Sequence, residues 1–195
     1  MSRKKTRVRY KLDSGDVNYL SNEEIRAILR AADDIITVGG RTLLATILKG
    51  SKDKKIYEYK LDQCPVYGYY RDLTVQTITN RIDWMIKKGY LNIEYFGRLP
   101  MLVFSEKGWE IERETYAEEL LQKLTKLLEV KEYGFLRELK DRNRGMILLL
   151  IEKIRQTGNI RFIPLLKAWK EIEYKKVQAA IQNAINYLIK EGKIY

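Results

Sequence analysis

The stretch Leu73–Gly108, LTVQTITNRIDWMIKKGYLNIEYFGRLPMLVFSEKG, decides how the rest of the chain is read. Asp72 or Thr74 can cap a helix there. Adding about 100° per residue gathers Val75, Ile78, Ile82, Met85 and Ile86 into one narrow arc that must face a core. Gln76, Thr77, Asn80, Arg81, Trp84, Lys87 and Lys88 then share the outer side. Gly89 stops the helix before YLNIEYF and LPMLVFS, two apolar-rich segments that read as strands turning across Gly97 and Arg98.

Upstream, Ser21 or Asn22 caps a helix whose apolar positions Ile25, Ile28, Leu29, Ala32 and Ile36 share one face, with Glu23 and Glu24 at its positive end. Gly39 and Gly40 close it. A second helix fits Arg41 to Leu48 and ends at Gly50, and SKDKKI reads as a polar turn leading to a short segment around Tyr57 to Leu61. Three helices followed by a hairpin is the order of a winged helix-turn-helix, so the expected fold class is mainly α, with an α+β first part.

From EKGWEIERETYAEELLQKLTKLLEV onward the period stays helical, with Leu120, Leu121, Leu124, Leu127 and Leu128 in one stripe up to a weak point at Tyr133-Gly134. Gly145 begins a further helix through Ile154. Beyond QTGN, Pro164 suits a first turn, and Val177, Ile181, Ile185 and Leu188 make the next stripe. The expected division is a basic arm over 1–19, a winged-helix domain over 20–112 and a helical unit over 113–195.

Composition bounds the chemistry. The 195 residues are 45% hydrophobic and 32% charged, enough apolar material for a core, with a net charge of +11 that favours a polyanionic partner through counterion release. Residues 1–20 hold six basic against two acidic residues, 21–113 fifteen against thirteen, and 114–195 sixteen against eleven, so most of the excess lies outside the central segment. The single cysteine, Cys64, and the absence of histidine remove internal disulfides and the ordinary zinc, haem and iron–sulfur ligand sets; no cofactor is expected. The longest apolar run, MILLLI at Met146–Ile151, is far short of the roughly 20 residues that cross a bilayer, and the basic N-terminus is followed by no apolar signal region. A cytoplasmic protein without a membrane partner is the expectation. Catalysis would rest on a spacing such as Asp53 with Glu58-x-Lys60, which a charged loop produces by chance, and the reading is noncatalytic.

Three blocks at ordered spacing, GGRTLLATILKGSKDKKI, YGYYRDLT and IKKGYL leading into the hairpin, resemble the RQC domain, the winged-helix module that follows the zinc-binding region in RecQ DNA helicases. The resemblance spans about Ile28 to Gly108. It implies that Lys49, where the family usually has arginine, Ser51, the downstream Lys54, Arg71 and Thr74 meet backbone phosphate. It also implies that Tyr95 or Phe96, beside Arg98 at the wing tip, stacks on a terminal base pair. Gln76, Thr77, Asn80 and Arg81 would approach a groove or duplex end. The chain departs from the family where Tyr70 replaces the second turn glycine, where Thr77 and Ile78 stand in place of an early tryptophan, and in its short wing. No G-x-x-x-x-G-K-[ST] loop is present, so the chain carries a reading module without an ATPase motor. Free-standing proteins of this type point to a bacterial source. The segment Ile151–Leu188 resembles one HEAT-like helix pair, which would pack on the preceding long helix or on a protein partner.

The expectation is thus a DNA-binding protein selective for duplex structure such as ends or forks, in replication, repair or recombination, of unassigned oligomeric state. A sequence-reading transcription regulator, or an adaptor for a helicase, are the other classes the residues allow. Trp84 would be either a DNA contact or an anchor for the C-terminal helices; the cluster Arg137, Lys140, Arg142 and Arg144 either extends a phosphate track or is a solvated helix end; and RKKTRVR, Arg3–Arg9, reads as a disordered electrostatic arm.

Overall fold

Ser21 starts the first helix by a reciprocal arrangement: its hydroxyl accepts from the Glu24 N–H at 3.2 Å, and the Glu24 carboxylate accepts from the Ser21 N–H at 2.9 Å. That helix, α1 (Asn22–Asp33), buries Ile25, Ile28 and Leu29 against α2 (Arg41–Lys49) and α4 (Val75–Lys87). The structure is a computed structural model and describes residues 10–130, 133–140 and 142–191. Two compact units make up the chain, one ending at Glu112 and the other beginning at Arg113. Architecture is mainly helical, with one two-stranded sheet among the described residues.

In the first unit the SKDKKI segment is a short helix, α3 (Lys54–Glu58), where the composition suggests a polar turn. Asp53 caps it by accepting from the Lys55 N–H at 2.9 Å, and Ile56, fully buried, anchors it to the core. A run of four charged residues hides that single anchor. Strands β1 (Leu91–Phe96) and β2 (Leu99–Phe104) pair antiparallel, Leu91 opposite Phe104 and Phe96 opposite Leu99. Leu91 and Leu102 face the core, while Asn92 and Glu94 alternate outward. The outer edge of β2 is closed by the loop after α1: Thr37 N–H donates to Leu102 O at 3.0 Å and Leu102 N–H to Gly39 O at 2.9 Å. The hairpin is therefore tied to the loop after α1 through β2.

Two side chains of α4 depart from the helical arc. Val75 is exposed, and of the arc only Ile78, Ile82 and Met85 are fully buried. Trp84 belongs to the first unit's own core, 7% exposed and stacked on Tyr90 at 6.0 Å, so its burial comes from its own hairpin neighbour.

The N-terminal region from Tyr10 does not trail away. Asp13 N–H donates to Asp83 Oδ2 at 2.7 Å, Lys87 Nζ to Ser14 Oγ at 3.1 Å, and Val17 packs on the core, so residues 10–20 run as a strap along α4. The Arg3–Arg9 segment lies outside the described residues.

The second unit has its own core. Ala117, Leu120, Leu124 and Leu128 come from α5 (Glu106–Val130), Leu136 and Leu139 from the short α6 (Leu136–Leu139), and Leu150 and Ile154 from α7 (Arg144–Gln156). Trp169 and Leu166 of α8 (Ile163–Ile172) and Ile181, Ile185 and Leu188 of α9 (Lys175–Glu191) complete it. Trp169 is fully buried and donates its Nε1–H to Glu173 Oε1 at 2.8 Å, which satisfies the one polar atom that so large a side chain brings inside.

Candidate nucleic-acid interface

Helix α2 ends where two turns meet. Gly50 adopts the left-handed conformation (φ 72°) that closes a helix, and Gly68 adopts it (φ 73°) in the opposing turn. A Cβ on Gly50 would stand 3.0 Å from Gly68 Cα, so the close approach needs glycine on conformational and steric grounds alike. The last carbonyls of α2 then find donors in both turns. Ile47 O accepts from Gly50 and Gly68, Thr46 O from Ser51 at 3.0 Å, and Leu48 O from Tyr70 at 2.8 Å. Tyr67 adds a hydroxyl bond to Ser51 O at 2.7 Å.

This knot brings Lys49, Ser51 and Arg71 together. Lys49 Nζ donates to the Arg71 carbonyl, and Arg71 Nε to Gly68 O at 3.3 Å, which holds both cations at the turn without pairing either to a carboxylate among the described residues. An ammonium has three donors and a guanidinium five, so each keeps hydrogen-bonding capacity for an anion. Thr74, three residues on, caps α4 by accepting from the Thr77 N–H at 3.1 Å, with its hydroxyl 2.8 Å from that of Thr77. Lys54 stands apart on α3, its side chain 87% exposed and 3.4 Å from Glu58. Glu58 and Asp53 are thus committed to an ion pair and a helix cap, and Lys60 sits in a left-handed turn.

The outer face of α4 is largely covered. Gln76 is exposed, and its side-chain amide lies 2.8 Å from that of Asn80. Asn80 itself lies beneath Gly15 of the strap, where a Cβ would come within 2.5 Å of it. Arg81 donates to Glu24 at 3.4 Å and lies over the Tyr70 ring, 5.3 Å from its centroid. Asp83, absent from any sequence expectation, is 2% exposed and receives both Arg41 Nη1 and the Asp13 N–H. No periodicity could reveal it, since its partners lie 42 and 70 residues away.

Glu24 is the second residue the sequence did not single out as a site member. Burial alone would raise its carboxyl pKa, but bonds from the Ser21 N–H, the Tyr70 hydroxyl, the Ser21 hydroxyl and Arg81 outweigh it and hold the group below its ordinary value. The Tyr70 phenol is displaced upward by burial and then by the Glu24 charge. Tyr70, placed where the resembled family has glycine, thereby links α1, the turn and α4 in one network.

At the hairpin tip Tyr95 stacks on Tyr10 of the strap, centroids 6.2 Å apart, while Phe96 is 48% exposed beside Gly97 (φ 68°) and the exposed Arg98. Among the described residues no group of three His, Cys, Asp or Glu side chains is placed to hold a metal, and no helix is long and apolar enough to cross a membrane.

The first unit is thus a set of helices closed by one antiparallel hairpin, with cations and hydroxyls presented on a glycine-bounded turn. The RQC domain family matches residues 21–126, more than half of the chain, and the chain belongs to that family. It is 32% identical over 69 residues to the ATP-dependent DNA helicase RecQ of Bacillus subtilis (strain 168); the match covers 35% of this chain and 12% of that protein. No solved structure matches the chain.

Proposed function

We propose that this protein binds DNA without catalysis, gripping the duplex backbone with its first unit. The observation that carries this reading is the convergence of Lys49, Ser51 and Arg71 on the turn locked by Gly50 and Gly68, with the exposed Thr74 hydroxyl following. Phosphate contacts of this kind fix register and orientation and carry no sequence information. Gln76 and Thr77, in the first turn of α4, extend the surface toward the duplex, and Lys54 adds charge at its margin. Asn80 and Arg81 support it from beneath through their contacts with the strap and Glu24.

Selectivity for duplex structure follows from the hairpin. Phe96 offers an exposed aromatic face at the turn of an anchored hairpin, with Arg98 beside it, and an aromatic side chain there stacks on an open base pair at an end or fork. Tyr95, held by Tyr10, supports the tip. Work on ends and forks places such a protein in DNA replication, repair or recombination.

The test is fluorescence anisotropy against a forked duplex and a blunt duplex of equal length at two salt concentrations, with Lys49→Ala/Arg71→Ala alongside. Salt-dependent binding that the double substitution weakens about tenfold or more supports the grip. Equal affinity for the two duplexes would remove the end-or-fork selectivity, and no binding by the folded protein would remove the function.

A further inference from the structure

Among the described residues, three cations of the second unit pair with carboxylates. Lys153 reaches Glu114 and Glu118, Arg155 reaches Glu152, and Arg161 reaches Glu129 at 2.9 Å. One end of the unit gathers several cations that have no such pair among the described residues. Leu148 and Ala180 line the same groove between α7 and α9, and further along it Arg155 lies over the Tyr187 ring at 4.6 Å, so these helices run parallel and begin at the same end. Arg144 is the first residue of α7, and Lys175 and Lys176 are the first two of α9. Lys140 lies over the Tyr174 ring at 5.3 Å, which brings it to the start of α9, and Arg142 lies over Tyr116 at 5.6 Å. These five cations come from two separate loops to one surface, and among the described residues none of them meets a carboxylate.

Stability of the unit does not account for this placement. The first turn of a helix is its positive end, where acidic residues are favoured and cations are not. Neither α7 nor α9 has an acidic residue in its first turn. Of the cluster that the sequence allows to be read as a solvated C-terminal helix end, Arg137 and Lys140 do sit at the end of α6, but Arg144 opens α7, as Lys175 and Lys176 open α9, and dipole compensation does not account for these three. Solubility would be served equally well by the same charges dispersed. Tyr116 and the 53% exposed Tyr174 hold two of the cations in place without neutralising them.

We infer that the end of the second unit formed by Lys140, Arg142, Arg144, Lys175 and Lys176 is a second DNA-backbone surface. The inference rests on the DNA-binding reading of the first unit and names a contact that reading does not include. It predicts that removing these charges weakens DNA binding by more than the loss of net charge explains.

The experiment uses the full chain and labelled duplexes of two lengths, on the order of one and three helical turns, over a salt series. Four proteins are compared: the natural sequence, Lys49→Ala/Arg71→Ala, the end variant Arg144→Gln/Lys175→Gln/Lys176→Gln, and a control that removes the same charge from exposed lysines elsewhere on the unit, Lys126→Gln/Lys167→Gln/Lys190→Gln. Each lost phosphate contact lowers the slope of log affinity against log salt by about 0.9, so the end variant is expected to lose about 2–3 in slope and at least about tenfold in affinity on the long duplex. The control loses distinctly less. Because the three cations oppose the dipoles of their own helices, the end variant's Tm is expected to stay the same or rise.

Equal losses in the end variant and the control would reduce the effect to net charge and overturn the surface while leaving the first unit's grip intact. A fall in Tm with the loss of binding would make the cations structural, with the same consequence. Failure of the natural protein to bind either duplex removes both the grip and the second surface.

Discussion

The Tyr70 hydroxyl donates to Glu24 Oε1 at 2.9 Å across 46 residues of chain, and Arg81 completes the group from α4 by donating to the same oxygen. Three elements that the sequence separates, the start of α1, the turn before α4 and the middle of α4, are thereby fixed to one carboxylate. The turn that carries Arg71 and Thr74 takes its position partly from this network, because Tyr70 immediately precedes Arg71. Tyr70→Phe keeps the ring and its packing and removes only the donor, leaving Glu24 with one partner fewer. It is expected to lower the unfolding free energy by about 1–2 kcal/mol in urea titration, and to weaken DNA binding less than Arg71→Ala does.

Glu24 sets a pH dependence whose sign is fixed. Its carboxyl is held below the ordinary value of 4.5 in the folded chain, so its stabilising contribution is complete above that value and is lost as pH falls through the lower folded pKa. Urea unfolding of the natural protein and of Glu24→Gln at pH 7 and pH 3 isolates the effect, since the other carboxylates titrate in both. The difference in stability between the two proteins is expected to shrink at pH 3; an unchanged gap would show that the carboxylate charge does not matter.

Asp83 and Arg41 form the most enclosed ion pair of the first unit, with side-chain exposures of 2% and 21%. Asp83→Ala leaves the guanidinium without its carboxylate and releases the Asp13 N–H of the strap. A loss of about 3–5 kcal/mol is expected, and Asp83→Ala/Arg41→Met is expected to recover part of it by removing the stranded charge. Equilibrium denaturation of the two variants checks both, and proteolysis near the strap should accelerate in the single variant.

Cys64 is buried at 6% exposure, and burial, then the neighbouring Asp34 carboxylate, push its thiol up to about 12. The thiolate is the reactive form, so alkylation at pH 8 in native buffer is expected to run at least about a hundredfold slower than in denaturant. Mass spectrometry after timed iodoacetamide treatment measures the ratio, and Asp34→Asn is expected to raise the native rate modestly.

Phe96 packs little surface, so Phe96→Ala is expected to change stability by less than about 0.5 kcal/mol. Under the proposed stacking role it lowers affinity for the fork, by about 1–3 kcal/mol, and leaves the blunt duplex less affected. Parallel titrations of both duplexes read the change, and an equal loss on the two would place Phe96 outside any fork selectivity.

Much of the architecture is legible in the chain because its causes are local. Ser21 and Thr74 announce helix starts through side chains that reach backbone N–H groups two or three residues on, Gly50 and Gly89 announce helix ends by supplying positive φ, and the alternation in YLNIEYF announces a strand from within six residues. Short α3 escaped because Ile56 is its only buried residue and four charges surround it. For the candidate site, the resemblance to the RQC domain brought out Lys49, Ser51, Arg71 and Thr74, and the turn that gathers Lys49, Ser51 and Arg71 depends on two glycines. What lies over the outer face of α4 was beyond its reach. Trp84, Asn80, Arg81 and Asp83 all sit outside the apolar arc by helical periodicity, yet each is covered by something distant in sequence: Tyr90 across a turn, Gly15 and Asp13 of the strap, Glu24 of α1. Periodicity assigns a side chain to one face of a helix; whether that face meets water depends on which remote segment folds onto it, and only the tertiary structure decides that.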